Sequence, residues 1–242
     1  MSAIYLIRHG QASFASENYD QLSSLGEQQT TILGQHWQHL ANIDKAYRGE
    51  LVRHKQSSEC FFRGYYLKEI STNPINLVIK QGFNEFDHLD ILAQYNKQWQ
   101  NQQNLQDFII QHSGESVRVG NKVFQQEFSQ AIKRWVIGKH DDEYKQTWQQ
   151  FKQLTVTALN ELIAENSTRE VKNIIVFTSG GPISVIVGHI LALDDQHVFA
   201  VNQQLINSSV TKLLFNSQRL SVDYINNYSH LEWKNSNLIS HR

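Results

Sequence analysis

The amino-acid sequence predicts an α/β fold, a three-layer α/β/α sandwich with a mostly parallel central sheet and a helical insertion or cap. Three observations lead to this prediction. Short apolar runs that contain β-branched residues end abruptly at polar or glycine-containing turns, as buried parallel strands do. Amphipathic helical stretches alternate with these runs. Between the two halves lies a long segment with helix-like spacing and no strong strand signal.

The first predicted elements are a strand and a helix. Ile4 to Ile7 form a short apolar run that stops at Arg8-His9-Gly10. Such a strand would deliver polar residues at its carboxyl end, where open α/β sheets bind ligands. Apolar residues then recur at helical spacing from Leu22 to Leu40, and Ser23 or Ser24 can cap the amino end. This pattern predicts a helix packed on the sheet.

The next segments predict a second helix, a second strand and an insertion. A helical stretch begins at Glu50 and ends before the turn-like residues Ser71 to Pro74, and a strand is expected from Asn76 to Ile79. Residues Phe86 to Tyr144 have helical spacing and a break at Gly114-Glu115-Ser116, so we assign a mostly helical insertion at about 86–145. We therefore expect one domain, residues 1–242, that carries this insertion.

The remaining residues predict a helix, a strand, a turn and a hairpin. Trp148 to Ile163 form an amphipathic helix, and the apolar strand Ile174 to Phe177 follows it. That strand ends in Thr178-Ser179-Gly180-Gly181-Pro182, whose proline suits the first position of the next helix. Val210 to Phe215 and Leu220 to Ile225 flank a short turn and are expected to pair. The edge of this pair is where a homodimer could form.

Charge and composition disfavour several classes of partner. The 22 basic and 23 acidic residues leave a net charge of -1, so no overall positive field draws the chain to nucleic acid or to an anionic membrane. No apolar run approaches the ~20 residues that a membrane-spanning helix needs. The start, MSAIYLIRHG, has too short an apolar stretch for a secretory signal. The single cysteine, Cys60, cannot form an internal disulfide. These features predict a cytoplasmic protein.

Two strand-to-helix turns form a candidate phosphate pocket. One follows Ile7 and carries Arg8 and His9, and the other follows Phe177 and carries two glycines. Neutral imidazole is a competent nucleophile, and a guanidinium group beside it can hold phosphoryl oxygens bidentately. Backbone N–H groups of the glycine turn, including that of Gly180, can bind the same anion. If the two strands are neighbours in the sheet, these groups lie together.

Motifs of other enzyme classes do not occur in the sequence. It contains no Gly-x4-Gly-Lys, no Gly-x-Gly-x-x-Gly and no Gly-x-Ser-x-Gly. This disfavours nucleotide-triphosphate, dinucleotide and serine-hydrolase chemistry. Cys60 does not fit a Cys-x5-Arg phosphatase loop, because Tyr66 stands at the arginine position. We expect Cys60 to be a small buried residue.

Several segments besides Arg8-His9-Gly10 match one family pattern. They are Leu6 to Ser13, Leu22-Ser23 with Gly26 and Gln28, Gly49 to His54 with Ser57, Phe83 to Asp87, and the strand and turn from Ile174 to Pro182. Together they cover most of the chain and resemble the histidine phosphatase (phosphoglycerate mutase-like) superfamily. The resemblance implies a phosphohistidine intermediate on His9 and phosphate held by Arg8 and Arg53. It also implies that Glu85 protonates the leaving oxygen and then activates water.

The acid segment contains three candidates for the proton-transferring group. A carboxyl group that first donates and then accepts a proton needs a raised pKa, which burial beside Phe83 and Phe86 could supply to Glu85. Asp87 and His88 lie close enough in the sequence to take the same role. We predict Glu85.

One position departs from the family pattern. Ser179 stands where the family has a second histidine, in a Ser-His-Gly-Gly context, that stabilises the phosphoryl group in flight. A hydroxyl group can donate one hydrogen bond to the same oxygen but carries no charge, and losing a preorganised donor typically lowers the rate by about 10²–10³. Arg8, Arg53 and the glycine turn could compensate. His54 and His230 are two histidines that could move in, and nothing in the sequence supports either specifically.

The sequence thus predicts a metal-independent phosphatase that needs no cofactor and acts on a small phosphorylated substrate, or binds phosphate, through His9. We expect no nucleic-acid partner and no membrane partner. The alternative is a phosphate-ligand binding or sensor protein that has lost turnover. A phosphoglycerate mutase-type phosphotransferase ranks third, because the departure at Ser179 disfavours it.

Overall fold

The computed structural model describes residues 1–13, 20–66, 75–113, 117–167 and 170–241. The turn expected at Ser71 to Pro74 and the break expected at Gly114 to Ser116 lie outside the described residues. The chain groups into two compact units, one made of Met1–Glu85 with Leu154–Arg242 and the other of Phe86–Gln153.

A six-stranded mixed sheet lies at the centre of the first unit. Its strands are β1 (Ser2–Arg8), β2 (Lys45–Arg48), β3 (Leu77–Ile79), β4 (Asn173–Thr178), β5 (Val210–Phe215) and β6 (Leu220–Asn227). They lie in the order β3-β2-β4-β1-β5-β6. Neighbours from β3 to β1 are parallel, whereas β5 is antiparallel to both β1 and β6. The predicted α/β fold with a mostly parallel sheet is confirmed.

Nine α-helices occur in the described parts of the chain. They are α1 (Ser24–Trp37), α2 (Val52–Tyr65), α3 (His88–Tyr95), α4 (Gln102–Ser113), α5 (Val117–Ile137), α6 (Trp148–Glu165), α7 (Gly180–Leu191), α8 (Asp195–Gln204) and α9 (Ser229–Lys234). Helices α3 to α5 and the beginning of α6 belong to the second unit. None of the helices in these described ranges is both long and apolar enough to cross a membrane.

Helices cover both faces of the sheet in the first unit. Side chains of β1 alternate between the faces, as the pleat of a strand requires. Ile4 and Leu6 pack in one buried cluster and Ile7 in another. Their helical partners include Leu159, Leu162, Ile183 and Ile186 from α6 and α7 on one face, and Leu33, Trp37 and Phe61 from α1 and α2 on the other. Full burial of such a side chain contributes about 1.5–3 kcal/mol, so the two clusters hold the three layers together.

The register of the parallel strands brings three loops to one edge of the sheet. β1 pairs with β4 so that Arg8 lies opposite Thr178. All four residues of β2, from Lys45 to Arg48, pair with the other side of β4. The residues that come directly after these three strand ends are His9, Gly49 and Ser179.

Three elements, β2, α8 and α9, were not predicted, and one helix begins earlier than expected. β2 is short and its outer residues are charged, so its two buried side chains, Ala46 and Tyr47, make no recognisable apolar run. α8 is largely polar, with one buried side chain. α7 begins at Gly180 with Ser179 as its N-cap, so Pro182 is the third helical residue and not the first. The first four N–H groups of a helix have no intrahelical partner, so proline is accommodated there.

Aromatic side chains form the core of the second unit. The ring of Trp135 lies 5.2 Å, between centroids, from the rings of both Phe86 and Trp148. Phe151 packs edge-on against Phe86 at 5.6 Å. The indole N–H of Trp135 donates to the carbonyl oxygen of Gln146 at 2.8 Å, which satisfies its buried polar atom.

Candidate active site

His9 lies at the carboxyl end of β1 and is 7% exposed. Its backbone N–H donates to the carbonyl oxygen of Thr178 at 2.9 Å, which ties it to the end of β4. Its ring Nδ1 lies 2.7 Å from the carbonyl oxygen of Gly10. A carbonyl oxygen can only accept, so Nδ1 carries the proton and Nε2 carries the lone pair.

The surroundings of His9 keep its ring neutral. Burial lowers the pKa of His9 well below its usual value of 6.5, and the charges of Arg53 and Arg8, followed by nearby His54, act in the same direction. The hydrogen bond to Gly10 acts against them and is the weakest contribution. A neutral imidazole with a lone pair on Nε2 can act as a nucleophile at neutral pH.

The loop after His9 packs closely against α1 and α2. A Cβ atom at Gly10 would lie 2.2 Å from the carbonyl oxygen of Gly26 in α1, so a side chain at this position would collide with backbone. The N–H of Gly10 donates to Ser57 Oγ of α2 at 3.2 Å. These contacts explain the glycine in the Arg-His-Gly sequence and hold Gly10, whose carbonyl oxygen is the partner of His9 Nδ1, in place.

Both predicted arginines lie close enough to His9 to influence its pKa. Arg8 is 8% exposed and donates to the carbonyl oxygen of Leu205. Arg53, in the first turn of α2, is 6% exposed and donates from Nη1 to Asp20 Oδ1 at 2.7 Å. Two buried cations beside a neutral imidazole form a strongly anion-attracting environment.

Asp20 is a site residue that the sequence did not reveal. One of its carboxylate oxygens pairs with Arg53, and the other accepts from the N–H of Val52 at 2.8 Å. The second contact satisfies a backbone donor at the amino end of α2, where the negative charge of the carboxylate also interacts favourably with the helix dipole. Asp20 therefore holds Arg53 in place and offsets part of its charge.

Glu85 lies beside the glycine turn. Its half-buried carboxylate accepts from the N–H of Gly181 through Oε2 at 3.2 Å. The preceding residues are anchored: the carbonyl oxygen of Phe83 accepts from Thr178 Oγ1 at 2.7 Å. Asn84 Oδ1 accepts from the N–H of Glu50 at 2.6 Å. The structure thus brings Glu85 to the same sheet edge as β4.

The two alternatives to Glu85 belong to the second unit and begin α3. Asp87 is the N-cap of that helix, where its Oδ1 accepts from the N–H of Asp90 at 3.0 Å. Its other carboxylate oxygen lies 3.5 Å from the ammonium group of Lys145. His88 is the first residue of α3. Glu85, by contrast, shares a unit with His9.

The amino end of α7 supplies the second strand-to-helix turn. Gly180, Gly181 and Pro182 are all buried there. A Cβ atom at Gly180 would lie 2.3 Å from Asn202 Oδ1, so a side chain at this position would require the Asn202 side chain to move. Backbone N–H groups that have no partner within the helix, together with the positive end of the helix dipole, favour anions at such a turn.

Ser179, which the resemblance places at the position of a second histidine, is fully buried and contacts a histidine from another element. Its Oγ lies 2.7 Å from Nε2 of His54, the residue after Arg53 in α2. The His54 ring is itself fully buried, and its centroid lies 5.9 Å from that of His9. Burial, followed by the charges of Arg53 and Arg48, lowers the pKa of His54 well below its usual value.

His230, the other histidine considered as a replacement, has different contacts. It lies in α9, its Nε2 is 3.3 Å from Ser208 Oγ, and its ring stacks on that of His36 at 6.4 Å. Burial, together with His36, lowers the pKa of His230 to about 3. Of the two candidates, the structure links His54 to Ser179.

Two further predictions concern residues away from this edge. Cys60 is 2% exposed and burial raises the pKa of its thiol, so the prediction of a buried residue is confirmed. Within the described residues, no group of three His, Cys, Asp or Glu side chains is arranged to hold a metal ion.

A family model and several solved structures match the chain. The model, described as the histidine phosphatase superfamily (branch 1), matches residues 119–228. This stretch includes Ser179 and the glycine turn, whereas His9, Arg53 and Glu85 precede it. A search of curated protein sequences gave no match.

The solved structures match over nearly the whole chain. A phosphoglycerate mutase from Bacillus anthracis has a TM-score of 0.63 at 15% identity, covering 95% of this chain and 94% of that one. A phosphoserine phosphatase mutant from Entamoeba histolytica, in complex with phosphoserine, has a TM-score of 0.62 at 16% identity, covering 96% and 100%. A mycobacterial glucosyl-3-phosphoglycerate phosphatase has a TM-score of 0.60 at 14% identity, covering 93% and 99%. These similarities show a shared fold.

Proposed function

We propose that this chain, which belongs to the histidine phosphatase superfamily, hydrolyses small phosphomonoesters through a phosphohistidine on Nε2 of His9. The observation that supports this most is the state of the His9 ring. Gly10 fixes the proton on Nδ1, and burial beside Arg53 and Arg8 keeps the ring neutral. Attack on phosphorus requires a lone pair on Nε2, which this arrangement supplies.

The phosphate group binds between the two arginines and the amino end of α7. Arg8 and Arg53 are each more than nine-tenths buried, so their charges are weakly screened. A hydrogen bond to such a charged group contributes about 1.5–3 kcal/mol. The N–H of Gly180 and the hydroxyl group of Ser179 are further donors at the same edge.

The reaction consists of two displacements at phosphorus. In the first, Nε2 of His9 attacks, the P–N bond forms, and the P–O bond to the leaving group breaks as protonated Glu85 gives its proton to the leaving oxygen. In the second, the Glu85 carboxylate takes a proton from water as the water oxygen attacks phosphorus and the P–N bond breaks. Phosphate leaves, and the site returns to neutral His9 and protonated Glu85.

A phosphate-binding protein without turnover is the second candidate function. The observation that favours it is the hydroxyl group of Ser179 where the family has a histidine, because loss of one preorganised donor lowers a rate by about 10²–10³. The same arginines would still bind phosphate. A mutase-type phosphotransferase ranks third for the same reason.

The test is hydrolysis of p-nitrophenyl phosphate by the purified chain without added metal. We expect turnover and an acid-labile phosphoryl adduct in the unsubstituted chain, and neither in His9→Ala. His230→Gln, which replaces a buried histidine elsewhere, is the matched control and should retain both. Turnover in His9→Ala at the unsubstituted rate would refute the mechanism. Tight binding of phosphate without turnover would favour the binding protein.

A further inference from the structure

We infer that His54 is a positioning residue that acts through Ser179, donating from Nε2 to Ser179 Oγ so that the serine proton points to the phosphoryl group on His9. The inference rests on the proposed function and deepens it. The resemblance gives the stabilisation of the phosphoryl group in flight to one histidine. The inference assigns this role to a pair of residues, one on α2 and one at the start of α7.

The contacts of the His54 ring determine which nitrogen carries its proton. Nε2 lies 2.7 Å from Ser179 Oγ, whereas Nδ1 is buried and has no hydrogen-bond partner among the described residues. A proton on Nδ1 would leave a buried N–H donor without an acceptor, which is rare in folded proteins. A proton on Nε2 leaves only a lone pair unmatched and forms the hydrogen bond to Ser179. The Nε2–H form of neutral His54 is therefore the favoured one.

This assignment sets the direction of the Ser179 hydroxyl group. When Oγ accepts from His54, its own proton is directed to a different acceptor. Ser179 does not use its side chain to cap α7, although it occupies the N-cap position. Ser179 directly follows Thr178, whose carbonyl oxygen accepts from the N–H of His9. The acceptor we assign to the serine proton is an oxygen of the phosphoryl group on His9.

The hydrogen bond from His54 makes Ser179 a better donor. Consecutive hydrogen bonds polarise one another, by about 10–30% per bond. Both side chains are fully buried, so water does not compete with this pair. The donor is thus preorganised, which is the property that matters for stabilising charge in a transition state.

Gly49 creates the space that the His54 ring occupies. A Cβ atom at Gly49 would lie 2.3 Å from His54 Nδ1, 2.7 Å from Asn84 Oδ1 and 2.8 Å from the carbonyl oxygen of Phe83. Gly49, at the end of β2, therefore lies directly against both the His54 ring and the segment before Glu85. This packing leaves the ring little freedom to turn away from Ser179.

The experiment is a double-mutant cycle with His54→Ala, Ser179→Ala and the double variant. We measure kcat and KM with p-nitrophenyl phosphate and the Kd values of vanadate and inorganic phosphate. Vanadate imitates the transition state, so we expect its Kd to rise about tenfold or more in each single variant, with a smaller rise for phosphate. Because His54 acts through Ser179, the double variant should be no worse than Ser179→Ala.

Two measurements separate this role from simple packing. Ser58→Ala is the structural control, since Ser58 is buried on the same helix and bonds to the carbonyl oxygen of Lys55. It should match the unsubstituted chain in vanadate affinity. Nitrogen NMR of His54 should show the Nε2–H form. An Nδ1–H form, additive effects in the cycle, or a His54→Ala affinity equal to that of Ser58→Ala would overturn the inference.

The outcomes also separate this inference from the proposed function. Additive effects in a chain whose turnover depends on His9 would overturn the inference that His54 acts through Ser179. They would leave the proposed phosphatase function standing. If the effects of the His54 and Ser179 substitutions on vanadate binding are coupled but the chain shows no turnover, the inference stands and the proposed phosphatase function is overturned. A chain that binds neither anion would overturn both.

Discussion

Acidification below pH 6.5 should destabilise this fold steeply, because three buried histidines must stay neutral in it. Burial lowers the pKa of His9 and His54 well below 6.5 and that of His230 to about 3. In the unfolded chain each titrates near 6.5. Below that pH the unfolded state binds more protons than the folded state, so the free energy of unfolding falls as the pH falls. Above about pH 7 these histidines add no pH dependence.

The size of the effect follows from the linkage relation. At pH 5.5 a histidine that titrates at 6.5 when unfolded and stays neutral when folded lowers the free energy of unfolding by about 1.4 kcal/mol. His9, His54 and His230 together therefore lower it by about 4 kcal/mol. This is a large part of the roughly 5–15 kcal/mol of a typical folded protein.

The assay is urea unfolding at pH 7.5 and pH 5.5, followed by circular dichroism. His230→Gln should reduce the loss of stability between the two pH values by about 1.4 kcal/mol, since one of the three contributions is removed. His39→Gln, a substitution at an exposed histidine, is the control and should leave the loss unchanged. An equal stability at both pH values, or an unchanged loss in His230→Gln, would refute the reasoning.

Three further substitutions test contacts at the sheet edge. Asp20→Asn removes the charged partner of Arg53 and should lower the unfolding free energy by about 1–3 kcal/mol. Added phosphate should recover this loss, so the phosphate-induced thermal shift should exceed that of the unsubstituted chain; equal shifts would contradict this. Ser179→His should lower activity, because its ring would meet His54, which now lies 2.7 Å from Ser179 Oγ. Activity should return when His54→Ala is added, and a gain from Ser179→His alone would count against the packing described. Gly10→Ala would place a Cβ atom 2.2 Å from a backbone carbonyl oxygen, so thermal unfolding should show a loss of about 1–3 kcal/mol together with lost phosphate binding.

The sequence predicted those parts of the sheet whose strands are apolar along their whole length. β4 is buried on both faces, and its run of apolar residues can be recognised without any knowledge of its neighbours. β2 cannot, because Lys45 and Arg48 flank its two buried residues. It is a strand because β4 and β3 lie on either side of it. That cause is tertiary and leaves no local pattern.

The site divides in the same way. Arg8, His9 and Ser179 could be placed together because adjacent parallel strands end at one edge of a sheet. Glu85 depended on resemblance to a family. No pattern in the sequence predicted the contact between His54 and Ser179. Helical spacing shows which residues share a face of a helix but not which strand that face packs against.

The position of β1 between β4 and β5 affects how the chain folds during its synthesis. β1 and His9 are synthesised well before their neighbours in the sheet, since Ile174, which lies opposite Ile4, leaves the ribosome far later. Pairing partners so distant along the chain are typical of slow folding, because a long loop must close before the strands meet. A nascent chain therefore lacks the pairing partners of its apolar β1 until β4 has been synthesised. The anion pocket forms only when β4 has paired with β1. A chain that ends before β4 therefore contains His9 but lacks the Ser179–Gly180 turn beside it.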